Sequence, residues 1–243
     1  MKGIFGSQTI HLSEVDSTNN YAAKLVSDGL CQNGAVILAD FQTKGKGQRG
    51  NHWLSKKGKN ILMSVVHHPD DLPVCEQIKF NWGVSLAIIS FLQDFGIEAQ
   101  VKWPNDIFVH NNKIAGLLIE NQLTGYFVSS SIFGIGLNVN QIDHNLKGVT
   151  SMRKEKNATF CLKSIIPRLV EKLNYFIFCE FNWLKEQYES KLYRKDKDAP
   201  FEDADGLFVG KILGVNKDGS LKLSRGNKIK EYGTKEITFR IDL

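Results

Sequence analysis

Two apolar runs, Ala35-Val36-Ile37-Leu38 and residues 60–66, are separated by Lys44-Gly45-Lys46-Gly47-Gln48-Arg49-Gly50, a stretch that cannot join a packed core. Each run reads as a short buried strand, so the chain must leave its core, form a glycine-rich basic loop and return. Glycines let backbone N–H groups come close to an anion, and the interleaved lysines and arginine neutralise it, so a phosphate-bearing ligand is the natural occupant. The competing reading is a solvated, flexible basic turn. The nucleoside-triphosphatase P-loop is excluded: Gly45 and Gly50 have its separation, but Asn51-His52 stands where Lys-Ser/Thr is required.

The surrounding pattern alternates strands and helices. Residues 8–12 alternate as a strand, Asp16-Ser17-Thr18 offers caps for a helix carrying Tyr21, Leu25 and Val26, and Gly29 can stop it. Residues 76–95 have the apolar spacing of a long helix ending at Gly96 and backing a sheet. Strand candidates at 107–109, 114–119 and 126–139 follow as an antiparallel meander, with Asn111-Asn112 as a turn. Residues 160–178 and 183–193 are spaced as helices. The charged, proline-closed segment 191–200 reads as a linker, and beyond it four short alternating runs, 208–215, 221–223, 229–232 and 237–241, predict a small β-barrel. A chain of 243 residues has room for one large and one small domain.

Composition removes several classes. Apolar residues at 42% and charged residues at 23% fit a soluble globular protein. Four cysteines form no CxxC pair and six histidines give no HExxH spacing, which argues against a disulfide scaffold and predicts no metal site of the protein's own. The sequence shows neither a signal-peptide core nor the roughly 20 apolar residues of a membrane helix, so a cytoplasmic protein without membrane contact is expected. A net charge of +5 is modest for a nucleic-acid binder, and no nucleic-acid partner is expected.

Gln42-Thr43-Lys44-Gly45-Lys46-Gly47-Gln48-Arg49-Gly50-Asn51-His52-Trp53 resembles the signature of the biotin protein ligases, usually written GRGRxGRxW. Ser17-Thr18-Asn19, Lys102-Trp103-Pro104-Asn105-Asp106, residues 113–120 (KIAGLLIE) and residues 134–140 (GIGLNVN) are similar to further blocks of that family, in the same order. No helix-turn-helix precedes Ser17, so the chain resembles the ligases that do not double as repressors. The implied fold is α+β, a mixed, largely antiparallel sheet backed by helices, related to class II aminoacyl-tRNA synthetases, with a small C-terminal β-barrel. The boundaries expected are 1–196 for the catalytic biotin- and ATP-binding domain and 197–243 for the barrel.

The resemblance implies an ATP-dependent, AMP-forming ligase that makes biotinyl-5'-AMP and transfers biotin to a lysine of a biotin carboxyl carrier domain, with Mg²⁺ accompanying ATP. It implies Lys113, Arg49 and Asp106 as catalytic residues. Lys113 would bridge the biotin carboxylate and the α-phosphate, and Asp106 would orient or deprotonate the incoming lysine. Ser17, Thr18, Asn19, Gln42, Lys46, Gly47, Gln48, Lys113 and Gly116 would bind biotin; Arg49, Trp53, Asn105 and Asn138 would bind ATP. Lys102 would be a second phosphate contact or a surface charge, and residues 141–153 would help close the nucleotide site. The glycine-rich loop is expected to order on ligand. Lys46 stands where arginine is usual and keeps charge without the bidentate fork, while Gln48 and Asn51 replace two basic positions and inherit no phosphate-clamping role. A homodimer is left open. The alternatives are a lipoate ligase or octanoyl transferase, whose arginine- and glycine-rich block with a His-Asp ending is absent here, and a nucleic-acid-binding module.

Overall fold

The computed structural model describes residues 4–143 and 146–241, apart from the Arg49 side chain. Seven strands form the larger sheet in the order β1-β2-β3-β7-β6-β5-β4: β1 (Thr9–Leu12), β2 (Val36–Ala39), β3 (Ile61–His67), β4 (Gln100–Lys102), β5 (Asp106–Val109), β6 (Asn112–Thr124) and β7 (Phe127–Leu137). Only β1 and β2 pair in parallel; every other neighbour is antiparallel. β2 and β3 are buried along their whole length. That is why they read as unbroken apolar runs rather than alternating ones: both faces of the sheet are covered.

On one face lies α1 (Thr18–Ser27), whose Ala22 packs with Ala35, Ile37, Val66 and Ile132. Gly29, in the left-handed region at φ +67°, ends it as expected. The other face is backed by α2 (Ile78–Gln93), which buries Phe80, Trp82, Ile88 and Phe91 and stops before Gly96 at φ +66°. α3 (Met152–Lys156), a short helix with no clear sequence signal, precedes α4 (Leu162–Phe176) and α5 (Phe181–Ser190), and the last two pack on α2.

The segment expected to be a linker is structural. Leu192 and Tyr193 are buried, the Tyr193 N–H donates to Val101 O, and its hydroxyl donates to Asn111 Oδ1 at 2.6 Å. Its surrounding charges mask these two anchors in the sequence. A strand the sequence reading missed, β8 (Asp198–Asp203), begins inside the same segment. With β9 (Gly206–Val215), β10 (Leu221–Arg225), β11 (Lys228–Tyr232) and β12 (Thr238–Phe239) it forms a five-stranded antiparallel sheet ordered β11-β10-β9-β8-β12. The expected barrel is thus an open sheet in its strand pairing. Its edges, β11 and β12, do not meet, and two-residue β12 is too short to close the ladder. This sheet is fused to the larger unit: Phe201, Ile212, Leu223 and Phe239 belong to the same hydrophobic cluster as Trp82 and Leu137, and the Trp103 indole N–H donates to Gly219 O at 2.9 Å.

His67 closes β3 inside a cage of phenylalanines, its ring centroid 5.4 to 6.1 Å from those of Phe5, Phe80, Phe133 and Phe178. Burial, with help from His68, pushes its pKa down to about 4 from 6.5. A depressed imidazole folds neutral, so the unfolded chain takes up the extra proton as pH falls through 6.5. Stability is therefore expected to fall by on the order of 3 kcal/mol between pH 6.5 and 4 from this group alone. Urea unfolding at pH 7 and pH 4.5 should show a smaller difference for His67→Phe than for the natural chain. Equal differences would exclude His67 as the source.

Candidate active site

The glycine-rich segment folds as a small hairpin over the end of the large sheet. Lys46 pairs with His52, the Gly47 N–H donates to Asn51 O at 2.7 Å, and the Trp53 N–H donates to Gly45 O at 2.9 Å. A 3-10 turn over Gln48–Gly50 makes its tip. Gly45 is required by close approach, since a Cβ there would lie 2.4 Å from Trp53 O. The backbone of Arg49 is in that turn, and its side chain lies outside the described residues.

Beneath the hairpin is a cavity of about 480 Å³, within the usual range for small-molecule sites. It gathers Ser17, Thr18, Asn19, Gln42, Lys46, Gly47, Gln48, Trp53, Asn105, Asp106, Lys113 and Gly116, twelve of the fourteen positions selected from the sequence. Besides Arg49, the exception is Asn138. It is buried just past β7, where its N–H donates to Ile114 O and its carbonyl accepts from Met152, away from the cavity wall. A larger concavity of about 1380 Å³ between β1–β3 and α4 is lined mainly by apolar side chains such as Phe5, Leu38, Ile166 and Val170 and contains none of the selected residues.

One end of the smaller cavity is polar and closely netted. Val15 pairs with Gln42 beyond the end of β1, and this brings the glutamine against the start of α1. Its Oε1 accepts from the Thr18 N–H at 2.7 Å and the Thr18 hydroxyl at 3.0 Å. Ser17 occupies the N-cap position of α1 as expected, but its side chain makes no cap bond, and Gln42 satisfies the Thr18 N–H instead. Ser64 Oγ lies 2.7 Å from Thr18 Oγ1 and 2.6 Å from Asn19 Oδ1, and Asn19 Nδ2 donates to Glu120 Oε2 at 2.7 Å. Lys46 Nζ stands 3.9 Å from the other oxygen of Glu120. The sequence reading missed Ser64 as part of this network, though one hydroxyl inside the apolar run Ile-Leu-Met-Ser-Val-Val was a usable signal. Gly134 makes room for it: a Cβ there would meet Asn19 Oδ1 at 2.4 Å.

The other end is cationic. Lys113 Nζ pairs with Asp106 Oδ1 at 2.6 Å and lies 5.5 Å from the centre of a Trp53 ring. Their meeting depends on a β-bulge. Asp106 opposes Gly116 and Ile107 opposes Ala115, but Phe108 opposes Lys113, so one residue is extra in β6. Without it, Lys113 and Gly116, three apart, would face opposite sides of the sheet. With it, both face the cavity, and a Cβ on Gly116 would be 3.1 Å from Lys113 Cε. The Lys113 backbone is held by Gly148 O and the Thr150 N–H, so part of the 141–153 segment braces this lysine, while 144–145 lie outside the described residues.

Trp53 lies on two facing glycines, Gly116 and Gly136, register partners in β6 and β7. Its indole N–H is buried with no acceptor among the described residues, a donor available to a ligand. Asn105 donates from Nδ2 to Leu117 O at 2.6 Å and so anchors β6. The far wall is made by Thr234, Lys235, Ile237, Thr238 and Phe239 of the C-terminal sheet, which no motif announced.

The fold and this site together define an α+β catalytic domain in which a basic glycine hairpin covers a cavity polar at one end and cationic at the other. Residues 12–138, more than half of the chain, match the Biotin/lipoate A/B protein ligase family. The chain belongs to that family. It is 27% identical over 244 residues to the bifunctional ligase/repressor BirA of Bacillus subtilis, covering 96% of this chain and 74% of that protein. It is 26% identical over 176 residues to a biotin–[acetyl-CoA-carboxylase] ligase of Mycobacterium tuberculosis, covering 67% of this chain and 64% of that one. Among solved structures it resembles a biotin protein ligase from Aquifex aeolicus in complex with biotin and ATP, with a TM-score of 0.78, 24% identity, and coverage of 96% of this chain and 99% of that one. None of the helices among the described residues is long and apolar enough to cross a membrane.

Proposed function

We propose that this chain is an ATP-dependent biotin protein ligase, which joins biotin to AMP and then passes the biotinyl group to a lysine of a biotin carboxyl carrier domain. The observation that carries the reading is the two-ended cavity, with matched donors and acceptors at Thr18, Asn19, Gln42 and Ser64 and a lysine–aspartate pair at the opposite end. The relatives named as biotin ligases point the same way.

In the first step a biotin carboxylate oxygen attacks the α-phosphorus of ATP, the bond from that phosphorus to the bridging oxygen breaks, and pyrophosphate leaves. Two anions must be brought together, and Lys113 offsets their repulsion by lying between them. The buried Thr18–Asn19–Gln42–Ser64 network holds the polar ring system of the vitamin, since a buried ureido group needs each donor and acceptor met. The hairpin closes over both substrates and keeps water from the adenylate. Asp106, the one carboxylate on the described cavity wall, would help hold a magnesium ion accompanying the triphosphate, which would supply neutralisation of phosphate charge. In the second step the acceptor amine attacks the biotinyl carbonyl, AMP leaves, and Asp106 takes or directs the amine proton.

The test is incubation of the purified chain with ATP, Mg²⁺ and labelled biotin, followed by a carrier domain. Biotin-dependent pyrophosphate release and labelling of one carrier lysine are the expected results. Labelling with lipoate in place of biotin would move the chain to the lipoate branch of its family.

A further inference from the structure

Asn19 spans three strands of the large sheet. Ser64 of β3, Gly134 of β7 and Leu118 of β6 stand side by side in register. The Asn19 amide reaches in from the first turn of α1 and fills the gap above the glycine. On one side its oxygen lies 2.6 Å from Ser64 Oγ; on the other its nitrogen donates to Glu120 Oε2 at 2.7 Å and to Leu118 O at 3.3 Å. Asn19, Thr18 and Gln42 are on the cavity wall, whereas Ser64 and Glu120 stand behind it.

A primary amide fits such a gap in two orientations, and its neighbours decide which. The Glu120 carboxylate and the Leu118 carbonyl only accept, so both amide protons turn toward them and the amide oxygen turns toward Ser64. That oxygen has no proton to give, so Ser64 donates its single proton to Asn19 and becomes an acceptor toward Thr18. The single proton of the Thr18 hydroxyl then goes to one of its two protein neighbours, Ser64 Oγ at 2.7 Å or Gln42 Oε1 at 3.0 Å. Either way the Thr18 oxygen has only lone pairs to offer the cavity. Gln42 is ordered likewise, because its Oε1 accepts the Thr18 N–H and leaves Nε2 as its donor.

Resting on the ligase reading, we infer that Glu120 is a positioning residue that determines specificity: through Asn19 and Ser64 it makes Thr18 an acceptor, matched to a ring N–H of the vitamin's ureido group. Glu120 touches no substrate. Without its carboxylate, only the long bond to Leu118 O orients the amide. A turned amide offers a proton to Ser64, Ser64 gives its own to Thr18, and the Thr18 hydroxyl is freed to donate into the cavity, donor against donor.

The experiment is calorimetric titration of the full chain with biotin and with its two cyclic-carbamate analogues, in which one or the other ring N–H is replaced by oxygen. Glu120→Leu is expected to weaken biotin by at least about tenfold, the scale of one mismatched buried hydrogen bond, and Glu120→Gln, whose amide oxygen still accepts from Asn19, should keep most of the affinity. The natural chain should bind one carbamate at least about tenfold more weakly than biotin, and Glu120→Leu should narrow that gap, since Thr18 can then donate to the ring oxygen. In a Ser64→Ala background, Glu120→Leu should cost nothing further, because the relay is already cut; a route through Lys46, 3.9 Å from Glu120, would instead give additive losses. In pyrophosphate exchange, the KM for biotin should rise in Glu120→Leu with kcat and the KM for ATP little altered. Unchanged biotin affinity, an unchanged preference over the carbamates, or additivity with Ser64→Ala would each overturn the assignment while leaving the ligase reading in place. No heat with biotin from the natural chain, with or without nucleotide, would overturn the ligase reading and this inference with it.

Discussion

Lys113→Ala should slow biotin-dependent pyrophosphate release by about 10²- to 10³-fold, the scale seen when one fixed electrostatic stabiliser of a transition state is removed. The ammonium is partly exposed, at 32% of its side-chain surface, and its pairing with Asp106 contributes little to folding by comparison. The thermal midpoint should therefore stay within a few degrees, which separates a chemical defect from an unfolded one. The variant also frees Asp106 from its only ion-pair partner among the described residues. If Asp106 serves the incoming amine, transfer from supplied biotinyl-adenylate should survive in Lys113→Ala far better than adenylate formation does. Near-normal pyrophosphate release would remove Lys113 from the reaction.

The second large effect is expected at Gly136. A Cβ there would stand 2.4 to 2.7 Å from three atoms of the Trp53 indole, and a ring system cannot give way as a flexible chain end can. Gly136→Ala should therefore expel Trp53 from the sheet and carry the attached end of the hairpin with it, because the Trp53 N–H is bonded to Gly45 O. Adenylate formation is expected to fall by at least about 100-fold, as displacement of positioning groups by about an ångström can cost that much. Tryptophan fluorescence should shift toward that of a hydrated indole. Unchanged emission together with unchanged turnover would show that the ring does not need the glycine floor.

Legibility differed by element for physical reasons. The two-sided burial of β2 and β3 leaves unbroken apolar runs, and Gly29 and Gly96 mark helix ends by backbone freedom, so these elements could be read directly. β12 lies within the alternating run read at 237–241, but β4 has only three residues, too few for a period to show, and β8 is masked by Asp198, Pro200, Glu202 and Asp203. The ordered motifs located most of the cavity wall because they are contiguous. What they could not convey was facing: the bulge that turns Lys113 inward is a relation between β5 and β6, absent from either strand alone. Asn138, by contrast, belongs to a block and lies off the wall of this cavity. Ser64 and Phe239 belong to no block. Phe239 reaches the cavity only through the docking of the second sheet, and Ser64 supports Thr18 and Asn19 from behind it only through sheet register.

The wall formed by Thr234 to Phe239 bears on how this protein can be dissected. A truncated chain ending before β8 would carry every recognisable motif and still present its nucleotide end to open water. Grafting the corresponding sheet of a relative would exchange part of the binding surface along with the fold. Engineers seeking altered triphosphate analogues therefore have an address to mutate near the C-terminus, about 120 positions downstream of the lysine expected to act on the α-phosphate, where changes should leave recognition of the vitamin untouched.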